Sequence, residues 1–337
     1  LQYIPSLCIR TNNKFWRLKL KTIHIVEDTL PIAWEKAVFE CWRHGAMFPT
    51  EYDQADDPNS RDVTAMIHIL NPMAEPRIHR AFPGGLDDLE KYRDEVLLGV
   101  HDHWVDPSAG KWEYTYHERL FEYDIIEKEE DWEYGRFKGT YSPKERLINQ
   151  IEQCVKILKN CGHTRRAQAV TWQCWKDLGI HDPACLQRLW FRIEKSLCKT
   201  CHNNHGSGHC ANCDNGYISK LNMTVHMRSN DAYKASFMNM YAFVELQSYV
   251  ASQLGIKIGE YVHIVDSFHI YGSYFEEFKG FLKSVKTRTA EERVYTDDFA
   301  YEYFLEGCDQ LLGEGDMPKD KKKLVQKRKE DIRGFMS

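Results

Sequence analysis

The chain has 337 residues, 42% hydrophobic, 13% aromatic and 28% charged, with a formal net charge of −5. Such a composition fills one large core or two modest ones and excludes a fibrous or disordered protein. No apolar run reaches the ~18 residues of a membrane-spanning helix, and the small acidic excess gives no whole-chain case for nucleic-acid binding. The opening residues lack a basic-then-apolar signal segment, which predicts a cytoplasmic protein.

Residues 25–45 read as an opening helix: Asp28 or Thr29 caps it, Pro31 suits its first turn, and Ile32, Ala33, Ala37, Val38 and Cys41 recur at helical spacing. A polar loop over 51–62 leads to a strand over 63–70, ended by Asn71-Pro72. A second helix spans 86–98, between Gly84-Gly85 and Gly99. After an aromatic stretch over 112–123 comes a helical apolar pattern over 144–159. Two β-rich runs, 167–172 and 186–193, flank a loop at 179–183. Residues 218–227 alternate like a strand, 237–254 form an amphipathic helix stopped by Gly255, and 260–271 return to strand. The charge run 319–329 reads as a solvated helix face or a loose end. Strands and helices mix without regular alternation, and no Gly-rich phosphate loop appears. That predicts an α+β fold over a doubly wound one.

Eleven cysteines, an odd number, argue against a disulfide framework. Four of them, Cys198, Cys201, Cys210 and Cys213, read C-x2-C-x8-C-x2-C, with His202, His205 and His209 interleaved and glycines in the turns. Two thiolate pairs on tight turns suit a tetrahedral metal, and Zn is the usual occupant. Nothing there supplies an open coordination position, so the loop reads as a structural knuckle in which one histidine can replace a cysteine.

A wider constellation carries other chemistry. Thr164-Arg165-Arg166 precedes a strand; Asp182-Pro183-Ala184-Cys185 follows, with Cys185 twenty residues after Arg165; Arg228-Ser229-Asn230-Asp231, Asn239 and Asp266-Ser267-Phe268-His269-Ile270-Tyr271 come after the knuckle. Arginines offer forked donors for phosphate, and cationic neighbours raise the thiolate fraction of a cysteine. Singly these are weak signals, since a strand cysteine is most often an apolar core residue.

Their order and spacing, from Arg165 to Cys185 and from Arg228 to Asn239, resemble the thymidylate synthase family, which includes the pyrimidine nucleotide hydroxymethylases. The resemblance covers about 25–274 and is closest to the short archaeal-type members, with the knuckle as an insertion. The run Trp112-Glu113-Tyr114-Thr115-Tyr116-His117-Glu118-Arg119-Leu120 is similar to the family's tyrosine segment.

The resemblance implies a mixed sheet with packed helices and a folate-dependent enzyme. Cys185 falls at the nucleophile position. Arg61, Arg165, Arg166, Arg228 and Ser229 match phosphate-binding positions, with Arg165 and Arg166 reaching across a homodimer interface. His269 and Tyr271 match the pair on the ribose hydroxyl, and Asn239 the amide that reads the pyrimidine edge, which suits uracil. Asp231 matches a folate contact and Tyr116 a support for proton transfer at carbon 5. For the general base Glu95 is the choice and Glu90 the rival. Leu186 and Trp190 stand where the family commonly has His and Gln, and Gly334-Phe335-Met336-Ser337 where it has an apolar closing tail; an open site admits water and turns a methyl product into a hydroxymethyl one.

The layout expected is an N-terminal extension (1–24), a catalytic domain (25–280) with the zinc knuckle inserted at 196–217, and a C-terminal extension (281–337). The activity expected is one-carbon transfer from 5,10-methylenetetrahydrofolate to dUMP, giving dTMP; a dUMP or dCMP 5-hydroxymethylase is the alternative. A nucleic-acid-binding module built on the knuckle and basic tail is disfavoured, because the knuckle has few aromatics and no basic stripe.

Overall fold

The computed structural model describes residues 20–125, 147–199 and 217–337. A seven-stranded mixed sheet is the frame. Strand β1 (Lys21–Glu27) lies parallel to β3 (Ser60–Ile69), and β2 (Ala46–Phe48) pairs antiparallel with the start of β3. Beyond β3 the order continues to β7 (Lys257–Ile270), β6 (Tyr217–Asp231), β5 (Leu186–Leu197) and β4 (Gln168–Val170). Only β6 and β7 among these neighbours run parallel.

The opening helix starts later than its pattern suggests. Thr22 to Val26 alternate exposed and buried, so this stretch pairs as β1, and helix α1 occupies Leu30–His44. Pro31 explains the boundary: it fits a helix's first turn but cannot donate inside one. Helix α2 (Leu86–Leu98) ends at Gly99, whose φ of 64° is left-handed, as the glycine there requires. A short helix α3 (Tyr116–Phe121) follows the aromatic stretch, and α4 (Gln150–Asn160) is capped by Asn149, whose side chain accepts from the Glu152 N–H at 2.8 Å. Residues 144–146 of the expected helix lie outside the described residues.

Helix α5 (Ser236–Leu254) is not the one-sided helix its reading implied. Phe237, Met240, Tyr241, Ala242, Phe243, Val244, Leu246 and Val250 are buried all round it, because the sheet lies on one side and α2 on the other. The sheet's inner face presents Val63, Ala65, Ile67, Leu189, Phe191, Met223, Val225, Tyr261 and Val265 to this core. Its outer face carries Met66, Trp190, Thr224, Val262 and Ile264, half-buried or exposed; no element covers it among the described residues.

Three more helices follow: α6 (Phe275–Thr287), α7 (Asp297–Gly313) and α8 (Lys319–Phe335). The charge run therefore does not dangle. It forms α8, which buries Val325 and Ile332 against α7 and α2. Arg328 reaches the fully buried Glu90 on α2 with Nε at 2.5 Å and Nη2 at 3.0 Å. Arg93 donates to Asp94 at 2.6 Å, and Arg77 bridges Glu245 and Asp297, each at 2.7 Å. Removing one partner of such a buried pair costs about 3–5 kcal/mol, because the other charge is left without compensation.

One member of this cluster is under-compensated. Burial, then Glu90, push the Asp94 carboxyl up to about 7, against the pull of Arg93 and Arg328. Between the ordinary aspartate value and 7 the folded chain holds a proton that the unfolded chain has lost, so this group's contribution to stability falls as pH rises through that window. Asp94→Asn is expected to gain on the wild type as pH rises from 5 to 8, read by calorimetric Tm at each pH. A difference in Tm that does not change with pH would contradict it.

Candidate active site

Strand directions gather the candidate residues. Because β5 and β3 run opposite to their neighbours β6 and β7, two strand starts and two strand ends share one edge of the sheet. In register, Arg61 faces Ile270, Asp62 faces His269, Ser229 faces Ser267 and Asp231 faces His269. Cys185 stands just before β5, where Leu186 pairs with Met227. The register then slips between Leu186 and Arg188, a bulge of the kind that re-aims side chains near strand ends.

The turn before Cys185 is held from the neighbouring strand. Arg228 donates Nε to the Ala184 carbonyl at 3.0 Å and Nη2 to the Pro183 carbonyl at 2.5 Å, and its own N–H meets the Cys185 carbonyl at 2.9 Å. Two of its five guanidinium N–H groups are thus spent, leaving three for a ligand. The Tyr114 hydroxyl accepts the Cys185 N–H at 3.3 Å. Burial raises the Cys185 thiol above its ordinary value; Arg228 opposes this, Asp182 adds to it, and the hydrogen bond from Tyr114 opposes it.

Beside this thiol opens a cleft of about 480 Å³, lined by Tyr92 and Glu95 from α2, by Lys111 to Tyr116, and by His181 and Asp182. Five residues separate Glu90 from Glu95, which places them about 140° apart round α2. Glu95 therefore faces the cleft, while Glu90 turns to Arg328. Glu95 also meets His101 Nδ1 at 3.0 Å, and Glu314 lies 3.4 Å from the other ring nitrogen. Burial disfavours charge on His101, but the two carboxylates outweigh it and raise its value. The ring stacks on Trp104 at 3.9 Å, and Trp104 donates to Asp316 at 3.0 Å.

Other expected residues sit nearby. The Arg61 guanidinium lies 4.5 Å over the Trp42 ring, with a buried Nε that has no protein partner. His269 is oriented through Nδ1 by Ser267, whose hydroxyl donates to Asp62 at 2.6 Å; its buried Nε2 has no protein partner. Tyr271 packs edge-on to His269 at 4.6 Å, and Tyr52 from the polar loop over 51–62 packs on Tyr271. Asn239 accepts a hydrogen bond from the Tyr92 hydroxyl and is buried. Arg165 and Arg166 are exposed on the loop before β4, as residues that reach outward would be.

Asp231 is held within its own turn. Its carboxylate accepts from the Tyr233 N–H at 3.0 Å, the Lys234 N–H at 2.8 Å and the Tyr274 hydroxyl, so it shapes the turn into α5 and is not among the residues lining the cleft. Of the knuckle, Cys201, Cys210 and Cys213 lie outside the described residues; Cys198 is buried at the end of β5. Ligand atoms of Glu90, Asp94 and Cys308 also lie within 4.8 Å of one another. Arg93 and Arg328 already pair with the two carboxylates there.

Sequence reasoning passed over Tyr92 and His101 and gave Asp182, though it stood in the constellation, no role. Tyr92 had a usable signal: it precedes Glu95 by three, which on a helix puts both on one face.

The candidate site is thus a thiol at a sheet edge, flanked by arginines, a histidine and an amide, with an aromatic cleft and a carboxylate beside it. The comparisons name the class. The thymidylate synthase family model matches residues 95–302. A relative from Methanocaldococcus jannaschii, provisionally named thymidylate synthase, is 26% identical over 253 residues, spanning 73% of this chain and 90% of the relative. Another of that name from Methanococcoides burtonii is 24% identical over 258 residues, 77% of this chain and 94% of the relative. Among solved structures, a thermostable thymidylate synthase A from Bacillus subtilis aligns at 17% identity with a TM-score of 0.48, over 74% of this chain and 83% of that one. The chain belongs to the thymidylate synthase family, whose members are folate-dependent one-carbon transferases.

The charges around Cys185 make its reactivity predictable in sign. Asp182→Asn removes a repulsion from the thiolate, so alkylation by iodoacetamide at pH 7.5 (roughly one unit below an ordinary thiol) should speed up by about 2–5-fold. Arg228→Gln should slow it. Equal rates in all three proteins would show that these charges do not reach the sulfur.

Proposed function

We propose that this chain transfers a one-carbon unit from 5,10-methylenetetrahydrofolate to carbon 5 of dUMP, giving dTMP. The observation that carries the reading is the convergence, on one sheet edge, of Cys185 with Arg61, Arg228, Ser229 and His269, brought there by the ends of four strands. Carbon 5 of uracil is a poor nucleophile until a thiolate adds to carbon 6 and turns the ring into an enolate. Cys185 supplies that thiolate; Arg228 favours it and Asp182 opposes it. Arg61 and Arg228, with Ser229, hold the phosphate, and the free Nε2 of His269, beside Tyr271, holds the ribose hydroxyl. Asn239 reads the ring edge.

Glu95 faces the cleft and moves protons through water, with His101 orienting its carboxylate. Tyr116, 5.7 Å from the Tyr114 ring, supports proton removal at carbon 5. When bound, the folate supplies the one-carbon unit and the reducing equivalents that make it a methyl group. The flat faces of Trp112, Tyr114 and Tyr92 and the ammonium of Lys111 suit such a ligand and would hold it.

A second reading, a 5-hydroxymethylase, is favoured by the polar rim of the cleft. Glu95, Lys111, Glu113, His181 and Asp182 would keep water beside the reacting carbon. Mass spectrometry of the product from dUMP and the folate decides: a methyl product supports dTMP synthesis, a hydroxymethyl product the alternative. Cys185→Ser should lose at least about 10³-fold in kcat while still binding dUMP, as expected when a nucleophile is removed. A covalent adduct of 5-fluoro-dUMP with that variant would refute Cys185 as nucleophile.

The protein works as a homodimer through the outer sheet face, where Met66, Thr224, Val262 and Ile264 await a partner surface and from which Arg165 and Arg166 extend. A monomeric mass in solution would overturn this. The four-cysteine loop holds a structural Zn. Leu197 pairs with Tyr217, so the strands bring both ends of the loop together, one position before Cys198 and four after Cys213. One equivalent of Zn per chain is expected, and chelation should lower Tm; less than half an equivalent in unchelated protein would contradict it.

A further inference from the structure

A hydrogen-bonded chain runs from the half-buried Tyr92 behind the site, and every link beyond Asn239 is buried. The Tyr92 hydroxyl donates to Asn239 Oδ1. Asn239 Nδ2 donates to Asn230 Oδ1 at 3.1 Å. Asn230 Nδ2 lies 3.0 Å from His263 Nε2, and His263 Nδ1 lies 2.8 Å from the Tyr261 hydroxyl. Asn230, Asn239 and His263 come from three elements: the end of β6, the first turns of α5 and the middle of β7.

The chain has one direction. Asn230 Nδ2 also sits 3.2 Å from the Met227 sulfur, which accepts but cannot donate. The amino end of Asn230 therefore points at Met227 and His263, and its carbonyl end at Asn239. His263 is fully buried; burial, with His226 nearby, pushes it down to about 3. It is neutral, so Nε2 is a bare acceptor for the Asn230 N–H, and Nδ1–H donates to Tyr261. If the Asn239 amide turned over alone, its carbonyl would face the Asn230 carbonyl, leaving two buried acceptors without a donor.

We infer that Asn230 and His263 are positioning residues that lock the amide of Asn239 in one orientation, and that this lock sets the preference for uracil over cytosine. The inference rests on the reading of Asn239 as the group that meets the pyrimidine edge. Asn239 keeps one N–H and one carbonyl lone pair free of the chain. Uracil presents a carbonyl at C4 and an N–H at N3; cytosine presents an amino group and a bare nitrogen at the same two places. A locked amide matches one ring and mismatches the other. An amide free to turn over matches both.

The test titrates dUMP, dCMP and 2-deoxyribose 5-phosphate, which has no base, against the full chain by calorimetry. Wild type, Asn230→Leu and His263→Phe are compared. Leu keeps the volume of Asn230 without its polar ends; Phe keeps a ring that can still stack on Phe243, so the second variant serves where the first fails to fold. The expected result is that the dUMP-over-dCMP affinity ratio falls at least tenfold in the variants, while affinity for the base-free sugar phosphate stays within twofold. A ratio unchanged within twofold overturns the inference. So does a parallel loss for all three ligands, which would mark a purely structural role. A wild type that binds dUMP no better than dCMP defeats the reading of Asn239 itself, and is told apart because it needs no variant.

Discussion

One constraint places everything else: neighbouring strands that run in opposite directions put the start of one beside the end of the next. Here the starts of β3 and β5 and the ends of β6 and β7 share a single sheet edge. Backbone pairing is stiff and its register is fixed by the buried inner face, since a slip of one residue would turn Val63, Ala65 and Ile67 outward. The cluster of Arg61, Cys185, Arg228, Ser229 and His269 is thus held by a sheet whose geometry is set by the core, and the side chains need little ordering of their own. Arg228 illustrates the economy: it braces the Pro183–Ala184 turn and still has donors to spare.

Helix α2 adds the second wall. It is sandwiched between α5 and the pair α7 and α8, so it has two polar faces with different tasks. Tyr92 and Glu95 look into the cleft, and Glu90 and Asp94 look toward Arg328. Charge on the outward face is buried and compensated by guanidinium groups; charge on the inward face is left within reach of solvent. The same helix thereby separates a structural carboxylate from one available for proton transfer, and burial with its partners draws the distinction.

Much of this was legible in the sequence, for identifiable reasons. Strand β6 announces itself by alternation, α2 by flanking glycines, and the family by the spacing of Arg165, Cys185, Arg228 and Asn239. The failures share a cause. Residues 25–27 pattern with the opening helix expected over 25–45 yet form strand, because the pairing that makes them one comes from β3, some forty residues away. The tail is the helix with a solvated face that its charge run suggests, but a run of lysines carries no sign that Arg328 meets Glu90, or that Lys329 meets Asp309. Local pattern reports local structure; partners that are distant along the chain do not appear in it.

The docking of α8 has a consequence for how the molecule opens. Glu90 and Asp94 have no water to turn to while α8 is in place, and if α8 leaves alone, Glu90 loses the guanidinium that meets both its oxygens. Separation of that helix by itself is therefore costly, and α2, α7 and α8 form one cooperative unit of opening, distinct from the sheet. The cleft then has walls of unequal persistence. The Cys185 wall shares the lifetime of the sheet, and the wall bearing Tyr92 and Glu95 shares that of the C-terminal helices, so amide exchange in α2 would keep time with residues more than two hundred positions away rather than with the strands across the cleft.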